Sequence, residues 1–524
     1  MILNSNFVKQ SLTAASLLTI GISIVNKVFG YVREAVTAGY FGTSATFDIY
    51  ILAFTIPEVI TSVVIMALPS ALIPGLRDGN LDSTGNKADY FWPGIVVFAP
   101  IFAMLSAAIY IFRYPIFHFL ASDFPGADQQ LGPRLLAISS LLIFFRCMEG
   151  YFRSWLFEKK HFIVPYSSNL LVDMVILAAI LLFYGKLGIE SLAYGWLVAS
   201  ALLFVYTGVF VLILVKPGVA RSLSWSWTSK IIMIFAAVVL IEFISISFPL
   251  VDRFLAARLL GPGPISALRY AFTLISIPVL VFVVSFNTAS FPWISDFSTD
   301  SGREKLRKLY RESVGLIIFL MILVSIGVAI FAEEIVRIAF MRGAFDESSL
   351  ILTSGPLAFF AFGITFYSIF IFQIRFYYAN MQLLRLGVIL GLMLLVKVVG
   401  SLILVGPLGH IGLALSSSLT WLLGFLLMTT DLGRSLGVSF KSLIDYALIK
   451  KISIAFIVGI FWFLIRFLWN SSEQSLGVVF LYLSMIGVSG ICLYVVLAAI
   501  ANVPEFDRIS KYLPFKLRLF RGIK

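Results

Sequence analysis

Charged side chains are scarce in this chain. Of its 524 residues only 13% are Asp, Glu, Lys or Arg, where a soluble domain carries roughly a quarter, and that deficit excludes an ordinary water-soluble fold. Cysteine and histidine are nearly absent as well. Cys147 and Cys492 sit far apart inside apolar stretches and read as reduced packing residues rather than a disulfide. The three histidines, with no HExxH or CxxC spacing, offer no metal site. Connections are mostly short: the longest, such as Gly75 to Tyr90 and the polar segment from Asp296 to Glu312, hold no domain, and the first outer loop is only about Gly42 to Phe47. No extramembrane domain is available to hold catalytic carboxylates, so the chain is not expected to be an enzyme and no cofactor is expected.

What the sequence has instead is apolar surface. Hydrophobic residues make up 60% of it, in stretches such as Phe91 to Ile111 and Val478 to Ile500 that are long enough to cross about 30 Å of hydrocarbon as helices. Alternating polarity is absent, so a barrel is excluded and the class is an all-α integral membrane protein. About fourteen spans are predicted, from 12–39 to 474–500. They fall into an N-terminal lobe over 1–216 and a C-terminal lobe over 230–445, each of six helices. A Pro-, Gly- and Ser-containing linker over 217–229 joins the lobes, two further helices lie within 446–500, and a basic tail follows over 501–524. The amino terminus leads into an apolar run too long for a signal-peptide core and is expected to stay attached as the first span. The net charge of +12 does not point to nucleic acid, because about two thirds of the Lys and Arg fall on one side of the predicted membrane. That asymmetry predicts both termini in the cytoplasm, with Arg303 to Lys308, Glu158 to Lys160 and the tail as interfacial anchors.

The first and seventh spans share a layout. In one the order is Arg33, Phe41-Gly42, Asp48, Ile56-Pro57; in the other it is Arg253, Leu260-Gly261, Arg269, Ile277-Pro278. Six crossings are an even number, so two such units repeat in parallel about a pseudo-twofold axis, an arrangement of transporters whose substrates bind near mid-membrane. Ionisable residues inside the spans are site candidates because each costs roughly 2.5 to 3.5 kcal/mol to insert. Lys27 and Arg33 lie about 120 degrees apart around the first helix and can border one broad cavity. Glu34, adjacent to Arg33, is not expected to face it. Glu58, beside Pro57, reads either as a titrating group that couples proton movement or as a neutral group hydrogen-bonded at a kink. Arg146, Glu149 and Arg153 share one helix face and neutralise one another. Asp173 and Lys397 are single charges that suit a packing pair or a ligand equally. Asp48 and Arg269, at matching repeat positions, are expected to form an outer gate, with Asp252 and Arg253 near it.

Several motifs in series resemble the MurJ/MviN-type lipid II flippases. The segment Gly30-Tyr31-Val32-Arg33-Glu34-Ala35-Val36-Thr37-Ala38-Gly39-Tyr40-Phe41-Gly42 is similar to their first-helix signature, and Asp48 to Pro57 continues the likeness. Further on, Phe340-Met341-Arg342-Gly343-Ala344-Phe345-Asp346, Phe376-Tyr377-Tyr378-Ala379 and Gly406-Pro407-Leu408-Gly409-His410-Ile411-Gly412 resemble that family's later motifs. The resemblance implies a MATE-like fold of the MOP superfamily with fourteen helices. It also implies a basic cavity for a sugar-pyrophosphate head group and a groove at the last two helices for a polyprenyl tail. Carried over by position, Lys27 stands where the family usually has an arginine, Arg33 and Glu34 match its Arg-acidic pair, and Asp252 matches an acidic position of helix seven. The chain departs from the pattern at Thr55, Thr61 and Ser62, where basic residues are common, and at Thr273, where an arginine is usual. It departs again at Met381, where an acidic residue linked to sodium binding is expected.

The implied function is translocation of an undecaprenyl-pyrophosphate-linked glycan across the bacterial inner membrane by alternating access. Lys27, Arg33, Glu34, Arg269 and Thr273 are the expected substrate contacts, and Asp48, Glu58, Asp252 and Arg253 the gating or coupling groups. The departures keep open a flippase for an O-antigen or exopolysaccharide unit, or a non-transporting paralogue. Expected partners are the lipid-linked oligosaccharide and the bilayer, with the protein monomeric. The membrane potential, protons or another ion are the candidate sources of coupling.

Overall fold

A computed structural model describes residues 12–77, 90–121, 124, 130–216, 225–284, 286–287, 290, 294, 302–380, 382–437, 446–469 and 474–509. The linker over 217–224, Met381 and the tail beyond Ile509 lie outside the described residues, as do Met1 to Ser11. Two compact units divide the chain, Met1–Ser266 and Ala267–Lys524.

The first unit contains α1 (Leu12–Phe41), α2 (Ala45–Arg77), α3 (Phe91–Ile111), the short α4 (Arg113–Ala121), α5 (Leu131–Glu158), α6 (Ile163–Leu187), α7 (Glu190–Leu214), α8 (Trp225–Leu259) and the first turn of α9 (Pro264–Pro278). The α1–α2 corner forms where expected: Gly42 has φ 54° and its N–H reaches the Ala38 carbonyl at 2.8 Å, the left-handed stop that glycine adopts without strain. In the second copy of this layout the positive-φ residue is Gly263 (φ 106°), two positions beyond the Gly261 singled out from sequence. The core gathers Phe98, Phe102, Cys147, Tyr151 and Trp155 from α3 and α5 with Val211 of α7. Ile231 of α8 joins this cluster, Phe235 stacks edge-on against Phe98 at 5.8 Å, and Arg258 donates to the Phe119 carbonyl at 2.9 Å. Those contacts carry the first packing unit through α8. Glu149, fully buried, is held by Arg153 at 2.8 Å and Arg146 at 3.6 Å, the predicted one-face cluster.

The second unit holds the rest of α9 with its π-helical continuation Val279–Val284, then α10 (Arg303–Ile330), α11 (Ala332–Phe340), α12 (Glu347–Ala379), α13 (Leu383–Leu436), α14 (Tyr446–Phe467), α15 (Leu476–Ile500) and α16 (Pro504–Ile509). Helix α13 is two spans. At Gly409 the backbone leaves the helix (φ 56°, ψ −138°). Lys397 then donates to the Leu413 carbonyl at 3.0 Å and to Ser417 Oγ at 2.7 Å. Sixteen residues of straight helix would put those positions about 24 Å apart, so the chain reverses on itself. Lys397 is thereby a buried fastener of this hairpin, not a ligand. Gly412 lies so close to the facing arm that an added Cβ would run into the Leu404 carbonyl oxygen.

Arg303 and Arg307, read from sequence as lipid anchors, donate to the Ser435 and Leu436 carbonyls at 2.6 and 3.0 Å. They satisfy the open C-terminal end of α13, where cations also meet the negative end of the helix dipole. Helices α14 and α15 pack on α10 through Trp462, Val458, Tyr494 and Phe319. The tail begins as structure: Glu505 pairs with buried Lys451 at 2.8 Å and Arg508 with Glu312 at 3.0 Å. Among the described residues twelve helices are long and apolar enough to cross a membrane. Division of α13 at Gly409 and the thirty-residue α1 bring the total to the expected fourteen.

The hairpin can be tested directly. Gly409→Ala forces a side chain into a backbone region that costs about 1–3 kcal/mol, and Gly412→Ala adds a backbone clash. Both variants should lose thermal stability in detergent, whereas Gly391→Ala, which meets nothing within 4 Å, should keep the parent Tm.

Candidate functional site

Two polar clusters stand inside the apolar helices of the first unit. The first is built on α1. Arg33 sends Nη1 to Asp173 Oδ1 of α6 at 2.6 Å and Nη2 to Glu34 Oε1 at 3.1 Å. Its guanidinium also stacks over the Trp196 ring of α7, 5.2 Å from the centroid, the planar contact that arginine makes and lysine does not. All three side chains of the ion triad are largely shielded, with 16, 7 and 10% exposure for Arg33, Glu34 and Asp173. Lys27 stands exposed nearby, attracted by Asp173 and repelled by Arg33. Two cations and two carboxylates therefore share this site, and their formal charges cancel.

This arrangement corrects the sequence reading in one respect and completes it in another. Neighbouring residues on a helix ordinarily point apart, yet Arg33 does face Glu34, because its long stem lets the fork span Glu34 and Asp173 together. Asp173 was one of two isolated charges in the sequence reading, and the structure makes it the principal partner of Arg33. Trp196 was not foreseen at all. The available signal for a missing carboxylate was arithmetic: Lys27, Arg33 and Glu34 leave one positive charge to be met in hydrocarbon.

The second cluster lies where α8 runs along α2. Arg253 Nη1 donates to Glu58 Oε2 at 2.8 Å and to Thr55 Oγ1 at 3.2 Å. Glu58 is half-exposed, not buried as the proton-coupling reading required, and it is charge-paired rather than a lone group beside the Pro57 kink. Thr55 and Thr61 also donate to carbonyls of their own helix, Ile51 at 2.7 Å and Pro57 at 2.8 Å.

Asp48 has a different part from the expected gate. Its carboxylate is fully buried and accepts the backbone N–H of Gly263 at 2.7 Å and of Ser266 at 2.8 Å. Pro264 opens α9 without an N–H of its own, and Asp48 supplies from another helix the carboxylate that a local N-cap would give. The gate charge thus serves the open amides of a helix start. Asp252 is buried with polar contacts of its own. In the second unit Arg269 is half-buried and bonded, and its carbonyl accepts from Thr273 Oγ1 at 3.0 Å, so that hydroxyl is engaged within α9. Among the described residues no group of three or more His, Cys, Asp or Glu is placed to hold a metal ion.

A family model described as lipid II flippase MurJ matches residues 37–486. A probable lipid II flippase MurJ of Borreliella burgdorferi is 24% identical over 370 residues, covering 70% of this chain and 72% of that protein. Its counterpart from Thermotoga maritima is 23% identical over 493 residues, covering 93% and 96%. Among solved structures, a lipid II flippase MurJ in an inward closed conformation matches with a TM-score of 0.77 and 21% identity, over 92% of this chain and 98% of that one. An inward-facing MATE multidrug transporter of the MOP superfamily matches with a TM-score of 0.65 and 11% identity, over 81% and 99%. The fold is therefore the MATE-like one expected from the sequence.

Removing one partner of a shielded ion pair leaves the other uncompensated, at about 3–5 kcal/mol. Arg33→Ala and Asp173→Ala should each lower thermal stability markedly. The double mutant should lose much less than their sum, a coupling above about 1 kcal/mol in the cycle. Additive losses would show that the two residues do not act as a pair.

Proposed function

Because this chain belongs to the lipid II flippase MurJ family, we propose that it moves an undecaprenyl-pyrophosphate-linked peptidoglycan precursor across the bacterial cytoplasmic membrane by alternating access. The observation that carries this reading is the family match over residues 37–486. The membrane-embedded cluster of Lys27, Arg33, Glu34, Asp173 and Trp196 supports it. A pyrophosphate needs charge-assisted donors in a low-dielectric site, and the cluster presents one exposed ammonium beside a guanidinium held in fixed orientation. In this reading Lys27 makes first contact with the head group and Arg33 receives it as its carboxylate partners yield.

Both termini are cytoplasmic and the protein acts as a monomer in this proposal. The outer faces of α14 and α15, which expose Phe456, Phe463, Leu481 and Met485, meet the acyl chains of the bilayer or the polyprenyl tail. Outward movement of an anionic head group runs with an inside-negative membrane potential, worth about 2.3 kcal/mol per charge per 100 mV, so no tightly bound coupling ion is required.

Complementation tests the proposal. Expression of this chain should restore growth to bacteria depleted of their lipid II flippase, and Arg33→Lys, which keeps the charge but loses the fork and the ring stacking, should restore it poorly at equal membrane abundance. Failure of the parent chain to rescue, with rescue instead of a strain lacking an O-antigen flippase, would overturn the assignment.

A further inference from the structure

The Arg253–Glu58–Thr55 cluster is not absorbed by the Lys27–Arg33 site. Glu58 lies about 20 Å into α2, at roughly 1.5 Å per residue from Ala45, and its side chain is 50% exposed while Arg253 is 17% exposed. An ionised carboxylate at that depth does not face acyl chains, so this face of α2 is wet. The rest of the face agrees. Accessible positions on α2 continue from Glu58 through Ser62, Met66 and Ser70 at four-residue intervals, while Val59, Val63, Leu68 and Leu72 are buried. Two hydroxyls and a carboxylate on four positions contrast with α3, whose exposed residues include Val96, Ile101, Met104 and Ile111.

The geometry at Arg253 is that of a receptor with its counter-ion in place. Among the described residues its bonds to Glu58 and to Thr55 both use Nη1. They leave out the Nε–Nη2 edge, the side of the fork that grips two oxygens of a phosphate in parallel. Thr55 Oγ1 donates its own hydrogen to the Ile51 carbonyl at 2.7 Å and so meets the guanidinium as an acceptor. The Glu58 side chain, by contrast, is accessible, and ion pairs on accessible side chains are weak. Arg33 differs on every count, with two carboxylates and a ring around it.

We propose that Arg253 is an oxyanion-binding residue on the shared face of α2 and α8, kept neutral at rest by Glu58, and that a phosphate taking the Nε–Nη2 edge expels the Glu58 carboxylate from Nη1 by like-charge repulsion. The ligand class is a pyrophosphate or phosphate ester. The proposal rests on the flippase reading for the source of that anion, a lipid-linked pyrophosphate. Glu58 then sets specificity by competition: a ligand with a neutral head group cannot release the pair.

The test uses the full-length protein in nanodiscs of phosphatidylcholine, titrated with inorganic pyrophosphate and, separately, with undecaprenyl pyrophosphate. Arg253→Gln should weaken both by about tenfold or more, as loss of a forked charge-assisted pair does. Glu58→Gln should tighten both several-fold by removing the competitor, and the double variant should bind like Arg253→Gln. Arg253→Lys, with charge but no fork, should fall between the parent and Arg253→Gln, and guards against a folding artefact when thermal stability is read alongside. Replacing part of the phosphatidylcholine with phosphatidylglycerol should leave the parent affinity unchanged; competition by that lipid would make ordinary phospholipid the occupant and overturn the assignment to a pyrophosphate. No binding by the parent, or Glu58→Gln binding no tighter than the parent, overturns the proposal. A chain that complements a flippase depletion yet lacks this pattern loses only the Arg253 assignment; one that shows the pattern without complementing loses only the lipid II reading.

Discussion

An ion placed in hydrocarbon must bring its counter-charge with it, and the interior of this protein is organised around that requirement. Insertion of a single charge costs about as much as several buried methylenes return, so isolated charges would undo the burial that packs the helices. The solutions differ in chemistry but not in purpose. Arg33 has two carboxylates, Glu149 has two arginines, and Lys451 has Glu505. Lys397 has a carbonyl and a hydroxyl, and Asp48 has two amides. All but the Glu149 cluster, which lies within α5, also tie together segments that apolar contacts alone would leave free to slide, among them α1 to α6, the two arms of α13, and the start of α2 to the start of α9.

These ties explain which parts of the fold were legible in the sequence. Helix positions follow from hydropathy, and the reversal at Gly409 was visible as a gap between two apolar cores because glycine and proline cluster there. The grouping of Arg146, Glu149 and Arg153 was legible because helical spacing fixes it locally. Asp48 was not, since its partners are backbone amides and every residue but proline carries one. The packing of α8 with the first unit was hidden for a similar reason. Ile231 and Phe235 are ordinary apolar residues, and only contact with Phe98 and its neighbours makes them informative.

The candidate site was half legible. Lys27, Arg33 and Glu34 stand out as charges in an apolar helix, and a resemblance to known flippases draws attention to the same three. What sequence could not show is that the cluster is electrically closed, because that depends on Asp173, 140 positions away from Arg33. The resemblance implies a basic cavity; the structure shows a cluster whose formal charges cancel, with an exposed lysine beside it. The same residues then describe a different recognition problem, in which an incoming anion must exchange with carboxylates already in place.

Exchange is the better physical arrangement for a protein that must both take up and let go of a highly charged head group. A set of bare cations in low dielectric would be costly to maintain when empty and would hold a pyrophosphate too firmly to release it. When carboxylates occupy the cations, the empty site is stable and the gain on binding is the difference between two similar interactions rather than the whole of one. Release then needs no new force, since the carboxylates return as the ligand leaves. The two clusters of the first unit sit at different points on this scale: the Arg33 site is shielded and doubly paired, while Glu58 at Arg253 is accessible. If Arg253 binds the head group as proposed, exchange is easier at the accessible Glu58 than at the shielded Arg33 pair, which opens only to a ligand with charge enough to replace both of its carboxylates.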